Sequence, residues 1–222
     1  MSNLLLVKSF NVLEIFGNVS AEWYLYLVLF LSIGVIFLAF ALYKEQPRMA
    51  LTKTQRICHV SIFTAICAVI NAFTFFPASH ISISLLATVC AVAGFLYGPK
   101  DAFIVGFMGD LITAIVLPAG PYNPLIGLAS GLMGMIPALV LKKTGNIYMK
   151  IALSTIITLI VCTCGLNTLG LWLVYGIGKK TFVAYLFVRL PFQILVAGGN
   201  AILTALIIRI LLQVLPKNKF NF

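Results

Sequence analysis

Charged side chains are scarce in this chain of 222 residues, and acidic ones are the scarcest. Only 9% of the residues are charged, and Asp and Glu together number five. Soluble globular domains average roughly 25% charged and about 45–50% apolar residues. Here 62% of the residues are hydrophobic and the mean hydropathy is +1.11. So few charges cannot cover a water-exposed surface, and the composition therefore predicts an integral membrane protein.

The sequence also lacks the residue patterns of common active sites. It contains no Gly-x-x-x-x-Gly-Lys phosphate loop, which excludes ATP hydrolysis by that route. No nucleophile, base and orienting residue can be assembled from it. His59 and His80 are isolated, and Cys162-x-Cys164 has no His or carboxylate at metal-ligand spacing. We therefore expect no enzyme activity, no metal and no cofactor.

The apolar residues fall into seven segments of membrane-spanning length, which is about 20 residues for a helix. The first, residues 21–44, follows an extracellular N-terminal segment (1–20) that is too polar to span, and it carries interfacial aromatic residues at both ends. After a basic cytoplasmic linker come six more segments, at 57–76, 81–97, 102–118, 123–141, 149–172 and 181–215. The predicted fold is all-α: a six-helix membrane domain over 57–222, preceded by the linker at 45–56 and by one extra transmembrane helix.

Basic residues predict the orientation, because the cytoplasmic loops of membrane proteins carry an excess of Lys and Arg. With the linker placed inside, eleven basic residues lie on the cytoplasmic side and three lie outside, namely Lys8, Lys179 and Lys180. We therefore expect a multi-pass protein of the cell membrane with its N-terminus outside and its C-terminus in the cytoplasm. The same distribution accounts for the net charge of +10 without a nucleic-acid partner.

Two ionisable residues, Asp110 and Arg189, fall inside predicted spans. Burying a charge in a membrane costs at least about 2.5–3.5 kcal/mol, so such residues usually serve a function. Arg189 could bind a carboxylate or carbonyl group of a ligand, or it could snorkel to the outer interface. Asp110 could serve a ligand or bond a neighbouring helix. The sequence leaves both pairs of alternatives open.

Further polar and aromatic residues gather near the outer ends of the predicted spans. Three prolines and a glycine between Pro118 and Pro124 exclude a helix, and they predict a stiff loop that covers a ligand or simply turns the chain. The polar pair at 167–168 could bond a neighbouring helix or the polar edge of a planar ligand. The candidate substrate-binding residues are Pro121, Tyr122, Asn123, Asn167, Thr168, Trp172, Arg189 and Asp110.

The order of these motifs resembles one known family. Gly109-Asp110-Leu111, the proline-rich loop, Leu166-Asn167-Thr168 and then Arg189 occur in the order found in folate-family substrate-binding (S) components of energy-coupling factor (ECF) vitamin transporters. The resemblance covers nearly the whole predicted six-helix domain. The sequence departs from the family pattern at Leu125-Ile126-Gly127 and at Gly170, both where the ligand is expected. The resemblance therefore implies a vitamin ligand: folate, a related compound or a different vitamin.

The resemblance implies a mechanism and a set of partners. S components capture a vitamin at the outer face, associate with a transmembrane coupling protein and two cytoplasmic ATPases, and topple in the membrane to release their cargo inside. The family's alanine-rich stripe on the first core helix contacts the coupling protein, which implies that role for Ala65, Ala68 and Ala72. Membrane lipid is the remaining partner. The alternative is a membrane scaffold subunit without a ligand, built on the extra helix and the small-residue stripes.

Overall fold

The structure is a computed structural model that describes residues 52–78, 81–117, 122–141, 146–175 and 182–214, together with Gly34. Apart from one short hairpin, the regular elements in these ranges are helices, which confirms the predicted helical membrane fold. Within the described ranges, four helical stretches are long and apolar enough to cross a membrane, and a shorter apolar helix accompanies them. The predicted extra helix at 21–44 lies outside the described residues except for Gly34, which is helical.

Helix α1 (Lys53–Ala72) begins earlier than the predicted segment because a capping box starts it. Thr52 Oγ1 accepts a hydrogen bond from the backbone N–H of Gln55 at 3.4 Å. In return, the backbone N–H of Thr52 donates to Gln55 Oε1 at 3.2 Å. These reciprocal bonds pair backbone N–H groups that the first turn of a helix would otherwise leave without partners. The end of the predicted linker is therefore already helical.

A two-stranded antiparallel hairpin follows α1, where the sequence predicted helix. Strand β1 (Phe75–Ala78) pairs with β2 (Ile81–Ile83), with Phe75 opposite Ile83 and Ala78 opposite Ile81. Pro77 lacks the N–H that a helix interior needs, and aromatic and β-branched residues favour strands. The helix before the hairpin therefore ends earlier than the predicted segment 57–76, and the helix after it begins later than the predicted segment 81–97.

Three consecutive helices form the centre of the bundle: α2 (Leu86–Tyr97), α3 (Pro99–Val116) and α4 (Pro124–Leu141). Gly98 joins α2 to α3 with a φ of 97°, a conformation that glycine adopts without strain. Glycine also lets the helices approach closely, since a Cβ added to Gly94 would lie 2.7 Å from the carbonyl oxygen of Gly134. Small residues hold membrane helices together in this way.

The second half of the chain contains an interrupted helix and a long one. Helix α5 (Ile147–Thr158) continues through a π-helical stretch (Leu159–Asn167) into α6 (Thr168–Tyr175). Such π-helical turns occur frequently at functional sites. Helix α7 (Phe182–Val214) then runs for 33 residues with Pro191 inside it. At about 1.5 Å per residue it exceeds the ~30 Å hydrocarbon core of a bilayer, so it is tilted or extends beyond that core.

One end of the bundle is fixed by a charged and aromatic group of contacts. Arg56 Nε lies 2.5 Å from Asp101 Oδ2 and joins the start of α1 to the start of α3. His59 Nδ1 lies 3.1 Å from the hydroxyl of Tyr97, which joins α1 to the end of α2. The ring of Phe63 packs edge-on against Tyr97 as well. This is the end that the sequence predicts to be cytoplasmic, and the candidate site lies at the other.

Candidate ligand-binding site at the opposite end of the bundle

The described candidate residues gather at the end opposite the Arg56–Asp101 pair. The last turns of α1 and α3, the start of α4, the region of α6 and the first turns of α7 meet there through side-chain hydrogen bonds. Asp110, Tyr122, Asn123, Asn167, Thr168, Trp172 and Arg189 all belong to these stretches. Pro121 lies outside the described residues, as do residues 118–120, so the loop's function as a cover over a ligand stays a prediction.

Asp110 bonds a neighbouring helix. Asn71 Nδ2 on α1 donates a hydrogen bond to Asp110 Oδ1 on α3 at 2.9 Å. One turn further along α3, Thr113 Oγ1 donates to the carbonyl oxygen of Ala68 at 3.0 Å. Sequence reasoning missed Asn71, because an asparagine in an apolar helix does not indicate a carboxylate partner 39 positions away. The helix contact expected for Asp110 is therefore present, and a ligand contact by it stays a prediction.

The Tyr122 hydroxyl occupies space that Gly127 leaves beside Asp110. A Cβ added to Gly127 would overlap this hydroxyl and would lie 3.4 Å from Asp110 Oδ2. The hydroxyl is buried and has no hydrogen-bond partner among the described residues. Burial, and secondly the charge of Asp110, raise the pKa of Tyr122, so the group stays a protonated donor. A buried hydroxyl without a partner costs about 1–3 kcal/mol, and a ligand acceptor would remove that cost.

Asn123 holds the start of α4 against α6. Its Nδ2 donates to the carbonyl oxygen of Gly170 at 2.8 Å, and its Oδ1 accepts from the backbone N–H of Leu125 at 3.1 Å. A Cβ added to Gly170 would lie 2.9 Å from Asn123 Nδ2, so a larger residue there would displace the amide. Gly170 and Leu125, which both lie at departures from the family pattern, are thus the two partners of one side chain. Asn123 shapes the site, and a ligand contact by it stays a prediction.

Arg189 is buried in the bundle. It is 3% exposed, and its Nη1 donates to Thr168 Oγ1 at 3.0 Å. The Thr168 hydroxyl, in turn, donates to the carbonyl oxygen of Thr163 at 2.8 Å, inside the π-helical stretch. A snorkelling arginine keeps its guanidinium group in water. The burial therefore excludes the snorkelling alternative and places a cation in the interior of this end.

Three further buried polar atoms, on α5, on the π-helical stretch and on α7, have no hydrogen-bond partner among the described residues: Thr158 Oγ1, Asn167 Oδ1 and Gln193 Nε2. Proteins leave few buried polar atoms unpaired, and each such atom calls for an explanation. Gln193 follows Arg189 by one turn, so both side chains lie on one face of α7. Sequence reasoning missed Gln193 and Thr158; the four-residue spacing from Arg189 was the available signal for Gln193. The set combines an acceptor, Asn167 Oδ1, with a donor, Gln193 Nε2, and with the Thr158 hydroxyl, which can donate or accept.

Asn200 shows what a fully bonded polar side chain looks like on the same helix. Its Oδ1 accepts from Thr88 Oγ1 at 2.6 Å, and its Nδ2 donates to the carbonyl oxygens of Ser84 and Val196, each at 3.0 Å. These bonds join α7 to the start of α2. Asn200 is therefore a structural residue, in contrast to Gln193.

Trp172 lies where α6 meets α7. Its ring packs edge-on against Phe182, with the ring centroids 5.9 Å apart and an interplanar angle of 81°. The contact joins the two helices that carry Thr168 and Arg189. Stacking of Trp172 on a planar ligand stays a prediction.

The described part of the chain offers hydrogen-bonding groups and charge at this site but no metal centre. It contains no group of three or more His, Cys, Asp or Glu residues able to hold a metal ion. Cys67 and Cys90 are buried with their Sγ atoms 3.7 Å apart, and they belong to the packed interior between α1 and α2. The arrangement can bind and orient a polar ligand.

The predicted coupling residues form a separate surface on α1. Ala65 and Ala72 are exposed, and Ala68 is half-buried beside them. Exposed apolar side chains adjoin the alanines at Ile62, Ile66 and Val69. Small side chains in such a surface allow another helix to approach closely.

Comparison with known proteins gives a family from the sequence and a similar fold from solved structures. Residues 55–208 match the family model described as "ECF transporter, substrate-specific component". The fold is similar to a crystal structure of FolT bound with folic acid, with 23% identity and a TM-score of 0.61, covering 68% of this chain and 91% of that one. It is also similar to the S component of a bacterial ECF transporter, with 21% identity and a TM-score of 0.61, covering 73% of this chain and 98% of that one. A comparison with curated protein sequences finds no match.

Proposed function

Because the chain belongs to the substrate-specific components of ECF transporters, we propose that it captures folate or a related vitamin at the outer face of the cell membrane. Proteins of this family are transporter components and not enzymes. The ligand would enter at the end of the bundle formed by the last turn of α1, the start of α4, α6 and the first turns of α7. The N-terminus would lie outside and the C-terminus in the cytoplasm.

The observation that carries the proposal is the buried cation together with two unpaired amide atoms, one next to Thr168 in the sequence and one a single turn after Arg189 on α7. The Arg189–Thr168 bond fixes the guanidinium group, while Asn167 Oδ1 and Gln193 Nε2 have no partner among the described residues. A planar ring that presents an N–H and a carbonyl on one edge would satisfy an amide acceptor and an amide donor together. Pterin-like compounds have such an edge, and an arginine can bind a carboxylate or a carbonyl group of the same ligand.

Delivery would depend on partners. We expect the α1 surface around Ala65, Ala68 and Ala72 to contact a transmembrane coupling protein, with two cytoplasmic ATPases supplying the energy. The chain itself carries no phosphate loop, in agreement with that division of labour. Toppling of the bundle in the membrane would then expose the site to the cytoplasm.

A thermal-shift screen of the purified full chain against water-soluble vitamins tests the proposal. A compound that binds only the folded protein raises the unfolding temperature, by an amount that grows with its concentration above Kd. We expect folate or another vitamin to raise it in a saturable manner, and mass spectrometry of the purified protein to detect a retained vitamin. If no vitamin shifts the unfolding temperature and none is retained, the scaffold alternative replaces the transport function.

A further inference from the structure

A groove lies between the start of α5 and the end of α7, at the end of the bundle opposite the candidate vitamin site. Its volume is about 160 Å³. Typical small-molecule pockets have roughly 300–1,000 Å³, so this groove suits part of a molecule rather than a whole vitamin. The buried Ile151 and Ile208 and the partly buried Ala205 form its floor, and the exposed Tyr148, Arg209 and Gln213 form its rim.

The two helices that form the groove expose apolar side chains along their length. Leu153 and Ile156 on α5 are about half exposed, and so are Ile202 and Leu206 on α7. In a bilayer such side chains contact acyl chains. The groove therefore combines an apolar floor on lipid-facing helices with a cationic and hydrogen-bonding rim. The floor is complementary to the acyl chains of a phospholipid, and the rim is complementary to its anionic headgroup.

The charge of this half of the chain is entirely positive. Residues 111–222 include nine Lys and Arg residues and no Asp or Glu. The two acidic side chains that the structure describes, Asp101 and Asp110, lie on α3 and bond Arg56 and Asn71. In the sequence, Lys142 and Lys143 precede α5, Lys150 lies in its first turn, and Lys217 and Lys219 follow α7. A negative partner for Arg209 must therefore come from outside this half of the chain.

We propose that the groove binds one anionic phospholipid of the cytoplasmic leaflet. Arg209 would hold the phosphate, with Tyr148 and Gln213 as further hydrogen-bond donors, and one acyl chain would lie on the floor formed by Ile151 and Ile208. Basic pockets between helices on the cytoplasmic side recognise anionic headgroups in this way. The lipid would fix the α5–α7 end at the inner membrane face and leave the alanine surface of α1 uncovered. The inference rests on the orientation given in the proposed function.

Native mass spectrometry of the full chain, released from detergent after titration with phosphatidylglycerol or phosphatidylcholine, tests the site. We expect one phosphatidylglycerol molecule to remain bound at concentrations at which phosphatidylcholine does not. Arg209→Gln should weaken its retention about tenfold, as expected for the loss of one charge-assisted contact. Arg209→Lys should retain part of the binding. Lys53→Gln, which removes an exposed cation at the same end of the bundle, is the matched control and should change retention less than twofold.

Three results would overturn the inference. The wild type and Arg209→Gln could retain phosphatidylglycerol equally, or Arg209→Gln and Lys53→Gln could lose it equally. In the third, inorganic phosphate alone would bind as strongly as phosphatidylglycerol does. Vitamin binding, measured on the same preparations, separates this inference from the proposed function. Vitamin binding without Arg209-dependent lipid retention rejects the lipid site alone. Arg209-dependent retention without vitamin binding rejects the transport function alone.

Discussion

The Arg189 guanidinium group and the Thr168 hydroxyl are hydrogen-bonded at 3.0 Å, although 21 positions separate them in the sequence. The bond joins α7 to α6, and the Thr168 hydroxyl itself donates a hydrogen bond to the carbonyl oxygen of Thr163. Both side chains are almost completely buried. A long, flexible arginine is thereby held in one position at the interior end of the proposed site, which is what binding of a ligand carbonyl or carboxylate requires.

Replacing Arg189 tests this relationship most directly. We expect Arg189→Ala to weaken vitamin binding by well over tenfold, because a charge-assisted contact is lost, while the protein stays folded. Thr168→Val, which keeps the charge but removes the hydrogen bond that orients it, should cause a smaller loss. Isothermal titration calorimetry in detergent measures both affinities, and circular dichroism controls for folding. An unchanged affinity of a folded Arg189→Ala variant would remove Arg189 from the site.

The unpaired amide nitrogen of Gln193 gives a prediction with opposite effects on binding and on stability. Gln193→Leu removes this buried nitrogen, which has no partner among the described residues, so the unfolding temperature without ligand should stay the same or rise. The affinity for the vitamin should fall about fivefold or more, since one hydrogen bond is lost. Thermal unfolding with and without the vitamin measures both effects.

Asn200→Leu is the matched control for Gln193→Leu, because Asn200 lies about two turns further along the same helix, α7. It removes the side-chain partner of the Thr88 hydroxyl and of the carbonyl oxygen of Ser84, so it should destabilise the protein by about 1–3 kcal/mol. Its vitamin affinity should stay close to that of the wild type. If Gln193→Leu instead lowers the unfolding temperature as much as Asn200→Leu does, Gln193 is a structural residue.

The contact between Gly127 and Tyr122 predicts a double-mutant effect. Gly127→Ala places a methyl group on the Tyr122 hydroxyl and should destabilise the protein by about 1–3 kcal/mol. Tyr122→Phe removes that hydroxyl and should restore most of the loss in the double variant. Thermal unfolding of the two single variants and the double variant gives the coupling energy. Additive effects would mean that the two groups do not meet.

The alanine surface of α1 predicts a separation of binding from transport. Ala65→Trp puts a bulky side chain on an exposed position, so vitamin binding should be unchanged while uptake falls at least tenfold through loss of the coupling contact. Leu153→Trp, also exposed but on α5, is the control and should support normal uptake. Uptake into cells that contain the coupling protein and both ATPases is the measurement. Normal uptake by Ala65→Trp would place the coupling surface elsewhere.

Composition and order of residues determined the class of this protein. With so few charges, only a lipid-covered surface is available to the chain, and proline and glycine separate its apolar segments. The sequence also singled out Asp110 and Arg189, because an ionisable residue in an apolar segment stands out without any structure. Local effects that compete with apolarity were harder to predict: the capping box at Thr52 started α1 earlier than expected, and Pro77 allowed a hairpin where helix was expected.

The tertiary structure decided which of these side chains meet and which remain unpaired. Asn123 reaches Gly170 over 47 positions, and Asp110 reaches Asn71 over 39, so neither partner is visible from spacing along one helix. Gln193 looked like any polar residue until its burial without a partner set it apart from Asn200. Scarcity of charge is a property of the chain, and it follows from the solvent that the chain must face. Satisfaction of a hydrogen bond is a property of the packing, because it depends on where another helix places its atoms.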